Sequence, residues 1–78
     1  MTFGKIIRRA RKANSLSQEN LTKILKENYN VHVTRSYLSM LETNARINPS
    51  AKLISALLDY FNLPMSAAAS LYGTAASQ

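Results

Sequence analysis

The chain has 78 residues, no cysteine, and ten lysines and arginines against four acids, a formal net charge of +6. That length predicts one domain. The lack of cysteine excludes disulfides and thiolate metal sites as reinforcement. A hydrophobic content of 46% supplies a core and is too high for a disordered chain. Half of the positive charge (Lys5, Arg8, Arg9, Arg11 and Lys12) falls within eight residues. A basic balance of this kind points to a polyanionic partner, nucleic acid before an anionic membrane surface.

No apolar run approaches the ~20 residues of a membrane span. No signal peptide is expected either, since Ile6 and Ile7 stand alone after the basic start. The acid-free stretch before Glu19 also has the composition of a mitochondrial targeting peptide, but its helical pattern continues without a cleavage-site composition. Catalysis needs a nucleophile with a base, paired carboxylates or a metal. Here the four acids are scattered and no glycine-rich phosphate loop exists. His32 stands alone, so no metal and no cofactor are expected.

Phe3, Ile6, Ile7, Ala10 and Ala13 recur at helical spacing and predict a first amphipathic helix over 3–13. Exposed to anionic lipid, that stripe would make a membrane anchor; it is assigned to the core, because the other helices lack cover without it. Ser17 is placed to cap a second helix from Gln18, with Glu19 favoured in its first turn by the helix dipole. Leu21, Ile24 and Leu25 give it a buried face, and it is expected to fade near Asn28. "NYNVHV", residues 28–33, reads as a connection with some extended character.

Thr34 caps a third helix, about 35–43, with Asn44 as the left-handed residue that ends it. "ARINPS" is a loop, and Pro49 or Ser50 opens a fourth helix. Leu53, Ile54, Leu57, Leu58 and Phe61 form its apolar stripe, and "NLP" ends it. Residues 65–72 predict a last short helix, with Met65, Ala68, Leu71 and Tyr72 available for packing. The expected architecture is all-α, a compact five-helix bundle over residues 1–72 with a frayed tail at 73–78.

Two short helices in succession, the second with an uncommitted outer face, have the layout of a helix-turn-helix DNA reader. "LSQENL" at 16–21, "YLSMLETN" at 37–44 and "NPS" at 48–50 carry a closer resemblance. Together they resemble the phage-repressor type of helix-turn-helix protein, the lambda repressor and Cro group, over residues 3–72. The family pattern is Leu-Ser-Gln-Glu-x-Leu-Ala, then Ile-Ser-x-Ile-Glu-x-Gly, then Asn-Pro-Ser. The resemblance implies a cytoplasmic or nucleoid protein of a bacterium or phage that binds double-stranded operator DNA as a homodimer.

The resemblance also implies residue roles. Thr34, Arg35 and Ser36 occupy leading recognition positions, and Met40 another base-facing one. Gln18 matches a glutamine that touches phosphate and buttresses the recognition helix, with Ser17 beside it. Tyr37, Asn44 and Arg46 fall where the family contacts the DNA backbone. Glu42 matches a glutamate paired with an arginine of the first helix, here Arg11. Three departures stand out: Thr22 replaces a small alanine, Asn44 replaces a glycine, and the connection from Lys26 to Val33 carries several extra residues, as either a longer second helix or an extended turn.

Physical chemistry bears on the same residues. Arg35 can bind guanine O6 and N7 together, with a solvated or phosphate-only arginine as the competing reading. Ser36 and Ser39 permit close approach and donate hydrogen bonds. Met40 can meet a thymine methyl or pack on a neighbouring helix, and Tyr37 can instead rim the core. Leu71 and Tyr72 are the candidate homodimer seam. A protein-interaction module of the same fold, such as an antitoxin or regulator subunit holding a protein partner, is the alternative function.

Overall fold

The computed structural model describes residues 2–43 and 48–72. Four α-helices run in order, α1 Phe3–Ala13, α2 Gln18–Tyr29, α3 Arg35–Glu42 and α4 Ala51–Tyr60, followed by a 3₁₀ helix, Met65–Tyr72. The described residues contain no strand.

Each α-helix starts at a hydroxyl. Thr2, Ser17, Thr34 and Ser50 have extended backbones, and their side chains accept from the N–H three residues on. This satisfies one of the donors a helix start leaves orphaned. Three of the helices stop the same way. Ser15, Asn30 and Asn62 have φ of 56°, 55° and 53°, and the next residue's N–H returns to a carbonyl of the helix just ended. Leu16 bonds to Arg11, Val31 to Leu25 and Leu63 to Leu58. All three returning residues are apolar, which is the hydrophobic contact that accompanies a left-handed cap.

α3 ends at Glu42 with Thr43 as its C-cap. Asn44, the expected terminator, lies outside the described residues, as does Arg46. The last helix is 3₁₀ rather than α. Ala67 and Ala68 are buried in it, and Ser70 Oγ accepts from Phe3 N–H at 2.9 Å, which ties it to the start of α1. Small side chains tolerate the eclipsed i, i+3 stacking of this geometry. Met65, expected to pack, is 76% exposed.

The buried side chains form one connected cluster. Phe3 and Ile7 of α1, Leu21 and Leu25 of α2, Leu38 and Leu41 of α3, and Leu53 and Leu57 of α4 meet in it. α1 packs on α3 and on the 3₁₀ helix, α2 on α3 and α4, and α4 on the 3₁₀ helix. The apolar face of α1 is therefore core, not a lipid-facing surface.

α2 continues to Tyr29, so residues 26–29 of the expected extra length are helix, and the α2–α3 connection proper is the five residues 30–34, slightly above the ~3–4 of most helix-turn-helix turns. Val31 is buried, and Lys52 Nζ of α4 donates to Asn30 O at 3.0 Å. Tyr29 Oη, one residue earlier, donates to Asp59 Oδ2 at 2.7 Å. That bond to the carboxylate holds the Tyr29 phenol above its usual range.

Two outcomes are expected. Leu57→Ala opens a cavity at the centre of the cluster and costs about 2–5 kcal/mol, read from urea unfolding. The Tyr29–Asp59 bond is complete below the ordinary phenol pKa of ~10 and is lost as pH rises through the higher folded-state value. Alkaline ultraviolet titration should therefore show a late-ionising phenol that disappears in Tyr29→Phe; a late phenol that survives belongs to another residue.

Candidate nucleic-acid interface

α3 divides cleanly between core and surface. Leu38, Leu41 and Glu42 are buried. Arg35, Ser36 and Met40 are exposed, and Ser39 and Tyr37 are half-buried. Tyr37 packs against the core cluster, so its ring is part of the rim. Met40 is 44% exposed and leaves a thioether on the outer face.

The buried side of α3 is held by a charged cluster. Arg11 Nε donates to Glu42 Oε2 at 2.7 Å, and Nη2 to Glu42 Oε1 at 2.8 Å. Arg11 Nη1 donates to Leu16 O at 2.7 Å. Gln18 Nε2 completes the set, donating to Glu42 Oε1 at 3.1 Å. The hydrogen bonds to Glu42 raise the Arg11 pKa above its already high value, against the lowering effect of burial. Among the described residues no buried side-chain polar atom lacks a partner, so the cluster is fully satisfied.

Gln18 and Arg35 line two adjoining hollows. One, of about 540 Å³, lies at the start of α2 and is also lined by Arg11, Ser17, Glu19 and Asn20. The other, of about 310 Å³, runs along α3 past Ser36, Ser39 and Met40. The structure thus brings Ser17, Gln18, Arg35, Ser36, Ser39 and Met40 to one continuous surface. Thr34 is exposed at the start of α3. Ser17 and Thr34 use an oxygen lone pair to cap their helices, which leaves each O–H free to donate outward.

Residues 7–67 match the helix-turn-helix family model. The chain belongs to the Cro/C1-type helix-turn-helix family. Comparison with curated proteins and with solved structures returns no significant match.

In this helix-turn-helix protein α2 and α3 are the paired helices, and the family is one of DNA-binding regulators. Thr22, which stands where the family pattern has alanine, donates its hydroxyl to Glu19 O at 2.6 Å. The hydroxyl is satisfied within its own helix and needs nothing from α3. No helix among the described residues is long and apolar enough to cross a membrane.

Leu71, half-buried, packs against the core cluster, and the side chain of Tyr72 lies outside the described residues. Lys23 and Lys26, which the sequence pattern does not single out, border the N-terminus of α3 through the lengthened connection. Their i, i+3 spacing on α2 is visible in the sequence; the wall facing them is a product of tertiary folding.

Removing one member of the buried pair strands the other. Glu42→Ala should cost about 3–5 kcal/mol in urea unfolding, and an apolar replacement of both, Arg11→Met with Glu42→Leu, should recover much of that loss. A single-variant cost below about 1 kcal/mol, the range of an exposed pair, would show that the pair does not hold α3.

Proposed function

We propose that this protein is a sequence-specific transcriptional regulator, a repressor, that binds a near-palindromic operator as a homodimer with α3 in the major groove. The observation that carries the reading is the donor-rich outer face of α3, mounted on a helix whose other face is locked into the core. Direct readout needs this combination, because base-edge hydrogen bonds tolerate little play.

Arg35 is the reader in this proposal, with its guanidinium on guanine O6 and N7. Thr34, Ser36 and Ser39 donate to neighbouring base edges or phosphates, and Met40 meets a thymine methyl. Ser17 and Gln18, at the start of α2, take a backbone phosphate, where peptide N–H groups and the helix dipole favour an anion. Tyr37, Asn44 and Arg46 are assigned further backbone contacts. The net charge of +6 supplies long-range attraction. Repression and a place in the bacterial cytoplasm or nucleoid rest on the phage-repressor resemblance.

Leu71 and Tyr72 are assigned to the homodimer seam, at the end of the 3₁₀ helix whose first residue, Met65, is exposed. A homodimer of this kind is expected to bind half-sites one helical turn apart, about 34–36 Å. The exposure of Met65 also favours a second reading. In it the same surface holds a different protein, as in an antitoxin or regulator subunit, and DNA binding is secondary.

Selection from a random DNA library tests the first reading. A palindromic motif is expected from the wild type. Arg35→Ala should relax one base position in each half-site at a cost of about 1–3 kcal/mol there. Enrichment of no motif, with a partner captured through the 3₁₀ helix, would favour the second.

A further inference from the structure

We infer that the groove between α2 and the lengthened connection is a second DNA-backbone site, in which Lys23 and Lys26 hold a phosphate beside the N-terminus of α3. This inference rests on the reading of the protein as an operator-binding regulator and extends its footprint on the DNA. The groove has a volume of about 380 Å³ and is lined by Thr22, Lys23, Lys26, His32, Val33 and Thr34. It holds two cationic side chains, two hydroxyls and an imidazole, and among the described residues no carboxylate lines it.

Its lysines are available. Lys23 meets Glu19 at 3.9 Å, and both side chains are about two-thirds exposed (65% and 69%). Such an ion pair is weak and readily exchanged for a stronger anion. Lys26 has no ion-pair partner among the described residues. Spaced i, i+3, the two ammonium groups lie on one face of α2. The Thr22 hydroxyl is turned to its own helix, whereas the Thr34 O–H, with its oxygen capping Tyr37 N–H, is free to donate into the groove.

The facing wall is preformed. Val31 is buried and its N–H bonds Leu25 O at 3.0 Å. Asn30 O is held by Lys52, and the His32 ring sits 3.1 Å from Asn30 Oδ1. The wall needs no ordering when a phosphate enters, so the ordering cost falls on the two lysine side chains alone.

Position distinguishes this site from the one at the start of α2. Lys26 is eight residues beyond Gln18, about 12 Å along the helix axis, so the two sites engage different phosphates. Thr34 in the groove adjoins Arg35 in the cleft with Gln18. The two sites therefore flank the start of α3.

The test uses the full chain and the operator selected by the wild type, with Lys23→Ala/Lys26→Ala compared with Lys5→Ala on α1. The double variant is expected to select the same motif. Its plot of log affinity against log salt should be shallower by roughly 0.9 for each phosphate it no longer neutralises. In ethylation interference, at least one phosphate whose modification blocks the wild type should become neutral for the double variant, while Lys5→Ala keeps the wild-type pattern. An unchanged slope and pattern would overturn the site. A shallower slope with an unchanged pattern would also overturn it, since the lysines then act only at long range. A wild type that selects no motif overturns the regulator reading and this site together. A wild-type motif with an intact interference pattern in the double variant removes this site alone.

Discussion

The buried pair of Arg11 and Glu42 is the constraint on which the placement of α3 depends. It joins residues 31 apart in the chain and closes two hydrogen bonds in the bidentate geometry that a guanidinium and a carboxylate favour. Burying two charges is costly, and an apolar pair of similar shape is often no less stable. What the charged pair adds here is direction. Arg11 also binds Leu16 O, and Glu42 also accepts from Gln18, so α1, the α1–α2 turn, the first residue of α2 and the end of α3 share one network. A slipped or rotated α3 would leave several of these groups unpaired. The same pair takes the only acid of α3 off its outer face, where it would repel a polyanion.

α3 is eight residues long, too short to be stable as an isolated helix. Its order therefore comes from its cap and its packing. Thr34 holds the start, Leu38 and Leu41 bury the middle, and Glu42 anchors the end. None of these uses Arg35, Ser36 or Met40. Two of the caps divide their hydroxyls in the same way: Ser17 and Thr34 each turn a lone pair inward and keep a donor outward. Stability and the capacity to bind thus draw on different atoms of the same few residues.

Much of this is legible in the sequence, for identifiable reasons. Ser17 and Thr34 each precede an apolar periodic stretch, where a hydroxyl is well placed to cap a helix; at the fourth helix the sequence marks the start only to within Pro49 or Ser50, and Ser50 is the cap. The stripe of α4 can only face a core. The left-handed stops are less visible. Ser15–Leu16, Asn30–Val31 and Asn62–Leu63 share a pattern of polar residue then apolar residue, but it becomes a cap only when the apolar residue finds the core. The 3₁₀ form of residues 65–72 is not legible, because an alanine-rich run suits either helix. The choice goes with the burial of Ala67 and Ala68 and the bond from Phe3 N–H to Ser70, 67 residues away. Met65, judged by type alone, belongs inside and lies outside. At the surface, Arg35 and its neighbours follow from position on a short capped helix. Lys23 and Lys26 acquire a facing wall only through the path of residues 30–34.

That path decides what the lengthened connection does to α3. Added loop residues cost little by themselves, since even doubling a flexible loop adds only about 0.6 kcal/mol of closure entropy. The larger risk is poor registration between α2 and α3. Three interactions counter it. Val31 is buried in the core cluster, Lys52 of α4 donates to the carbonyl of Asn30, and Tyr29, the last residue of α2, is tied to Asp59 of α4. Two of the three reach α4, so the connection is referenced to a helix that carries neither the α2 nor the α3 surface. The connection therefore spans the two helices as a strut. Its side chains alternate, with Val31 inside, His32 outside and Val33 half-buried, as an extended segment lying on a core must. An extended strut of this kind keeps α3 in place and turns the polar side of the added residues to solvent, against the outer face of α2. The groove beside α3 thus lies between this strut and the outer face of α2.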